Sequence, residues 1–228
     1  MLKKIKKIYC EEPNEPFLGS DSLICKLTAF WIAMPLLRLM QKLKLKIHPN
    51  TISFASLFFI LLAAFFFFDG YLLYGAISYF IYFLGDVLDG KWARLTKKTS
   101  ALGAKLDYFI CLIGNFAMFS GLWYSQFYLY NNWFTGLVLI FSYYVLVVLL
   151  ELFVQDQNYT TVFPKVTSYY SPQEEGFAIF FIAPLFNILF FIFPLLVILQ
   201  LLSLIALIIK QKERPNVKER LFKKLLKL

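Results

Sequence analysis

The sequence predicts an all-α integral membrane protein: six transmembrane helices preceded by an N-terminal interfacial amphipathic helix. Three observations predict it. Apolar residues come in unbroken runs, with no charge in 51–68 and none across the 34 residues of 176–209. Only 16% of the 228 residues are charged, against about a quarter in soluble domains. The 23 Lys and Arg residues fall into four clusters that these runs separate. Bilayer hydrocarbon is about 30 Å thick, so a helix of about 18 or more apolar residues can cross it. A large soluble helical protein would need polar faces on most helices, and these runs have none.

The first 48 residues are expected to form a cytoplasmic N-terminus and the interfacial helix. No apolar stretch follows the early lysines of MLKKIKKIYCEEPNEP, so a cleavable signal peptide is not expected. Segment 21–47 mixes an apolar face with Lys26, Arg38, Lys42, Lys44 and Lys46. It reads as a helix lying in the interface, with Trp31 at the boundary and a kink near Pro35. A seventh span is the alternative. His48-Pro49-Asn50-Thr51 ends this segment and caps the first span.

The spans are expected at 51–69, 71–91, 103–125, 133–155, 176–191 and 193–210, within a membrane domain of residues 49–210. Pro184, Asn187 and Pro194 interrupt the stretch that holds the last two, where a re-entrant pair competes with two crossings. Residues 211–228 form a basic tail suited to anionic headgroups. Nine basic residues lie in 1–48, five in 91–105, one in 156–175 and eight in 210–228, and none lies near 69–71, 126–132 or 192. Positive loops stay in the cytoplasm, which predicts cytoplasmic termini and a cytoplasmic motif. Charge is thereby accounted for by topology, with no nucleic-acid partner required. Cys10, Cys25 and Cys111 show neither metal-ligand spacing nor a disulfide framework.

Ionisable residues in a span are costly and point to function. Residues 85–111, GDVLDGKWARLTKKTSALGAKLDYFIC, put Asp86 and Asp89 at the end of span two and Asp107 near the start of span three. Antiparallel packing would gather the three carboxylates just inside the boundary. Their mutual repulsion would be relieved by a divalent cation, and oxygen-only ligands favour Mg²⁺ or Mn²⁺ over zinc. Gly90, Ala93 and Gly103 would let a ligand approach the backbone. Arg94 could neutralise a phosphate or hold an aspartate. Lys91, Lys97, Lys98 and Lys105 would add positive potential at the entrance.

These residues resemble the signature of the CDP-alcohol phosphatidyltransferase family, D-x2-D-G-x2-A-R-x8-G-x3-D-x3-D. Asp86, Asp89, Gly90, Ala93, Arg94, Gly103 and Asp107 occupy seven of its eight fixed positions. The resemblance implies transfer of a phosphoalcohol group from a CDP-alcohol donor to a hydroxyl acceptor, with release of CMP, in phospholipid synthesis. It implies Asp86, Asp89 and Asp107 as metal ligands, with Asp107 also catalytic. It also implies that Asp86, Gly90, Ala93, Arg94 and Gly103 border the nucleotide. A homodimer embedded in membrane lipid is implied as well.

The eighth position is Cys111, where the family has its last aspartate, regarded as the base for the acceptor hydroxyl. A thiol is a poor ligand for Mg²⁺, and uncharged it does not take over a carboxylate's proton-accepting role. Three readings follow: another carboxylate serves as base, the enzyme works slowly through its metal, or transfer is lost and binding of nucleotide, lipid or a partner protein remains. Glu151, Asp156, Glu174 and Glu175 fall at the cytoplasmic ends of later spans, and Glu151, Glu174 and Glu175 are the candidate replacements. Helix capping explains Glu174 and Glu175 equally well. A transporter is disfavoured because the charges cluster at one boundary rather than at the midplane.

Overall fold

The computed structural model describes residues 23–45, 47–140, 142–143 and 172–212, without the side chains of 101, 104, 172–174 and 203–212. All regular structure among them is helical. Helix α1 spans Leu23–Lys42, α2 Pro49–Phe68 and α3 Leu72–Leu95. Helix α4 begins as Ala101–Tyr124 and runs on through a π turn, Ser125–Leu129. A π-helical stretch at Phe134–Ile140 is α5. Residues 172–185 form α6, and Leu189–Lys212 form α7.

Four helices among the described residues are long and apolar enough to cross a membrane: Leu23–Lys42, Pro49–Phe68, Leu72–Leu95 and Lys105–Leu129. The last three correspond to the first three expected spans. The expected fourth span, 133–155, is described only at its beginning. The fifth and sixth appear as the shorter apolar helices Glu175–Leu185 and Leu189–Leu202. They turn at Asn187, earlier than the break expected at 192, because Asn187 takes the left-handed conformation (φ +54°) that closes α6. Pro194 lies inside α7 and does not end it. Helix α1 is continuous over Leu23–Lys42. Its last half is strongly amphipathic, while its length and composition also suit the alternative of a spanning helix.

The helix ends follow from local chemistry. His48, in extended conformation, caps α2 by accepting the Asn50 N–H at Nδ1 (3.3 Å), and Pro49 occupies the first turn, where no donor is lost. Ser100 does the same for α4, its Oγ accepting the Gly103 N–H at 3.0 Å. At the far end of α2, Gly70 (φ +80°) lets the Tyr71 N–H reach the Phe66 carbonyl at 2.8 Å. Pro35 and Pro184 are absorbed without breaking their helices. Each follows a π turn, Ala29–Ala33 or Ala178–Ile182, in which the residue before the proline bonds five residues back.

Helices α2, α3 and α4 form the centre. Ile60, Ala63 and Phe67 of α2 meet Met118 and Leu122 of α4, all fully buried. Gly121 allows this approach, since a Cβ there would lie 2.6 Å from the Ala64 carbonyl oxygen. Helix α6 leans on α3 through aromatic rings, with Phe80 against Phe181 (5.0 Å) and Tyr79 against Phe180 (5.4 Å). Helix α1 buries Ala29, Ala33 and Leu37 and exposes Trp31.

Candidate functional site

The last three turns of α3 and the first two of α4 carry the signature, and the first turn of α2 faces both. A cavity of about 200 Å³ lies where they meet. Its walls are Asp89, Gly90, Ala93 and Arg94 from α3, Gly103 and Asp107 from α4, Pro49, Asn50 and Ser53 from α2, and the connection Lys98-Thr99-Ser100. Six of the seven matching signature positions thus line one space. Helices α2 and α4 both begin at this cavity, so two positive dipole ends converge on it, with the Asn50 and Gly103 N–H groups already capped by His48 and Ser100. The volume is below the ~300 Å³ at which sites for whole small molecules begin.

The aspartates are not equivalent. Asp89 is buried and its Oδ2 accepts the Ser53 hydroxyl at 2.5 Å. Asp107 is exposed at the opposite wall. Asp86, one turn deeper, is half-buried and close enough to Asp107 and Asp89 for their charges to act on it. Arg94 acts electrostatically on Asp89, and its guanidinium lies over Gly90, 3.6 Å from where a Cβ would sit. Among the described residues no three His, Cys, Asp or Glu side chains already surround one point. The aspartates therefore line and flank the cavity rather than forming a finished cage. As a donor set they fit a hard divalent cation: carboxylate oxygens, a like-charge cluster and an adjoining hydroxyl.

Of the four lysines expected at the entrance, Lys98 lines the cavity and Lys97 and Lys105 are exposed nearby, whereas Lys91 is buried at 1% exposure and lines none of it. Trp92 Nε1 donates to the Ile47 carbonyl at 2.9 Å, which ties the segment entering α2 to the motif helix. Asn50 is legible in the sequence only as part of the cap that opens α2. For Ser53 in the wall and Trp92 behind it the only hint is polarity: a serine in an uncharged span, and an indole between two signature residues.

Cys111 sits one turn beyond Asp107, exposed and outside the cavity wall, its Sγ accepting the Asn115 amide at 3.3 Å. Of the carboxylates at the ends of the later spans, Glu151 and Asp156 lie outside the described residues, as does the Glu174 side chain. Glu175 is buried at 4% exposure. One of its oxygens accepts the Tyr143 hydroxyl (2.5 Å) and the other the Gln200 amide, and it lines no part of the cavity.

Fold and site define a class: a helical membrane protein with an acidic, anion-receptive cavity at one end of its central helices. The family follows from direct comparison. Residues 46–219 match the CDP-alcohol phosphatidyltransferase family, and the chain belongs to it. This is a family of transferases acting in phospholipid synthesis and generally dependent on divalent metal. Comparison with individual curated proteins finds no match.

Proposed function

We propose that the protein moves a phosphoalcohol group from a CDP-alcohol to a hydroxyl acceptor and releases CMP, with its cavity open to the cytoplasm. The observation that carries this reading is the gathering of Asp89, Gly90, Ala93, Arg94, Gly103 and Asp107 around one cavity. Their chemistry matches what a donor pyrophosphate requires. Gly90 and Gly103 keep side chains away from the backbone that meets the phosphates. Arg94 and Lys98 offset negative charge as the bond from the donor's β-phosphorus to the CMP oxygen breaks. The acceptor oxygen forms the new bond to that phosphorus and gives up its proton. Asp86, Asp89 and Asp107 would hold Mg²⁺ or Mn²⁺, which supplies further charge neutralisation at the pyrophosphate. Asp107 is the exposed carboxylate of the three and the one an incoming acceptor meets first. Glu174 and Glu151 are the further candidates for taking the proton. A homodimer belongs to the same proposal.

Cys111 favours a second reading, in which donor binding persists and transfer is lost. Its thiol is held by Asn115, where the family signature has a carboxylate. The test is Mg²⁺-dependent CMP release from a panel of CDP-alcohols, offered with a mixed lipid and polyol extract. Native protein and Cys111→Asp are run side by side. Release by the native protein, falling to background in Asp107→Asn, is the expected result. Release by Cys111→Asp alone selects the second reading. Silence from both, with no binding of CDP, rejects the transferase reading.

A further inference from the structure

Two serines of α2 are buried against the motif helix, and they use their hydroxyls differently. Ser56 Oγ donates to the Ile52 carbonyl of its own helix at 2.9 Å, which is how a serine in an apolar helix ordinarily satisfies itself. Ser53 has the same option, since the Pro49 carbonyl is 3.4 Å away. A hydroxyl has one proton, however, and Asp89 Oδ2 at 2.5 Å is the much closer acceptor. The bond joins α2 to α3 across 36 positions of sequence, and both partners are buried, at 6% and 7% exposure. Both also line the cavity.

We infer that Ser53 is a positioning residue, which fixes the Asp89 carboxylate so that its remaining lone pairs meet the cation in one orientation. The inference rests on the transferase reading and deepens it. A carboxylate at the end of a rotatable side chain loses part of its binding free energy to ordering when it takes up a ligand. A donor already holding one oxygen removes that cost, as outer partners of metal ligands commonly do. The same bond couples the start of α2, where Asn50 also faces the cavity, to the motif helix.

The test uses the full-length protein in detergent or nanodiscs, with Mn²⁺ alone as the probe and binding followed by the loss of free-ion paramagnetic resonance signal. Ser53→Ala is expected to weaken Mn²⁺ binding by about 10-fold or more. Ser56→Ala, which loses only a bond within its helix, is expected to bind as the native protein does. Ser53→Thr and Ser53→Val are matched in shape and differ in the hydroxyl, so they remain informative if the alanine variant folds poorly. Thr is expected to bind within a few-fold of native and Val to show the full loss, with equal melting temperatures. Native-like binding by Ser53→Ala, or equal binding by the Thr and Val variants, overturns the inference and leaves the transferase reading standing. Native protein that neither binds Mn²⁺ nor releases CMP overturns both.

Discussion

Trp92 stands at an unconstrained position of the signature, between Gly90 and Ala93, yet its indole donates to the Ile47 carbonyl and is 3% exposed. Trp92→Phe keeps most of the apolar contact and leaves that carbonyl without its donor. A cost of about 1 kcal/mol is expected, visible as a lowered melting temperature, with a smaller loss of CDP binding than Asp89→Asn gives. Gly90→Ala should behave in the opposite way. The nearest atom to an added Cβ is Arg94 Nη1 at 3.6 Å, so the fold accommodates it, but the methyl group enters the cavity. The expected outcome is a native melting temperature with CDP binding weakened, read by calorimetric titration. At this scale the signature residues were legible because their order and spacing are specific. Ser53 and Trp92 were not, because what matters is their partner 36 or 45 residues away, and no periodicity within one helix reports a contact between two.

Helix ends show how much a single residue decides. Helix α3 closes at Lys97, which adopts φ +54° so that the Lys98 N–H reaches the Ala93 carbonyl at 2.8 Å. This turn aims Lys98, Thr99 and Ser100 at the cavity. A side chain in the left-handed region costs about 1 kcal/mol or more, so Lys97→Gly is expected to raise thermal stability while leaving CDP binding in place. Gly121→Ala should do the reverse. Its Cβ would meet the Ala64 carbonyl oxygen at 2.6 Å and the Phe68 nitrogen at 3.1 Å, both backbone atoms that move only with their helix. Separating α2 from α4 is expected to cost about 1–3 kcal/mol, measured by thermal unfolding in detergent. The central helices were legible in the sequence because long apolar runs, charged only near the motif end of α3 and α4, leave few alternatives. The turn at Asn187 was misplaced because three breakers compete there, and a proline inside a helix is tolerated when a π turn takes up the strain. The continuity of α1 over 20 residues depends on a second such turn ahead of Pro35, which composition does not reveal.

Across the whole molecule the two ends of the central bundle differ in chemistry. The end that holds the cavity carries Lys97, Lys98 and Lys105, all exposed. The other end, where α2 turns into α3 and α4 into α5, has no basic residue in 69–71 or 126–132. It presents Tyr71, Tyr128, Tyr130 and Trp133 instead, each more than half exposed, and Tyr130 closes the turn by donating its hydroxyl to the Gly70 carbonyl at 2.5 Å. Amphipathic aromatics gather at both membrane–water boundaries and so do not orient a protein, whereas lysines are retained on the cytoplasmic side. We propose from the asymmetry of lysine an orientation with the cavity inside and the aromatic turns outside. In that orientation a donor built on a charged nucleotide would be met on the side where it is soluble. Single cysteines placed at Lys97→Cys and Asn131→Cys in a cysteine-free background test this, since both positions are exposed. In intact cells a membrane-impermeant maleimide is expected to label position 131 and to spare position 97 until the membrane is opened. The reverse pattern would put the cavity on the outer side, away from any cytoplasmic CDP-alcohol, and the transferase reading would lose its substrate.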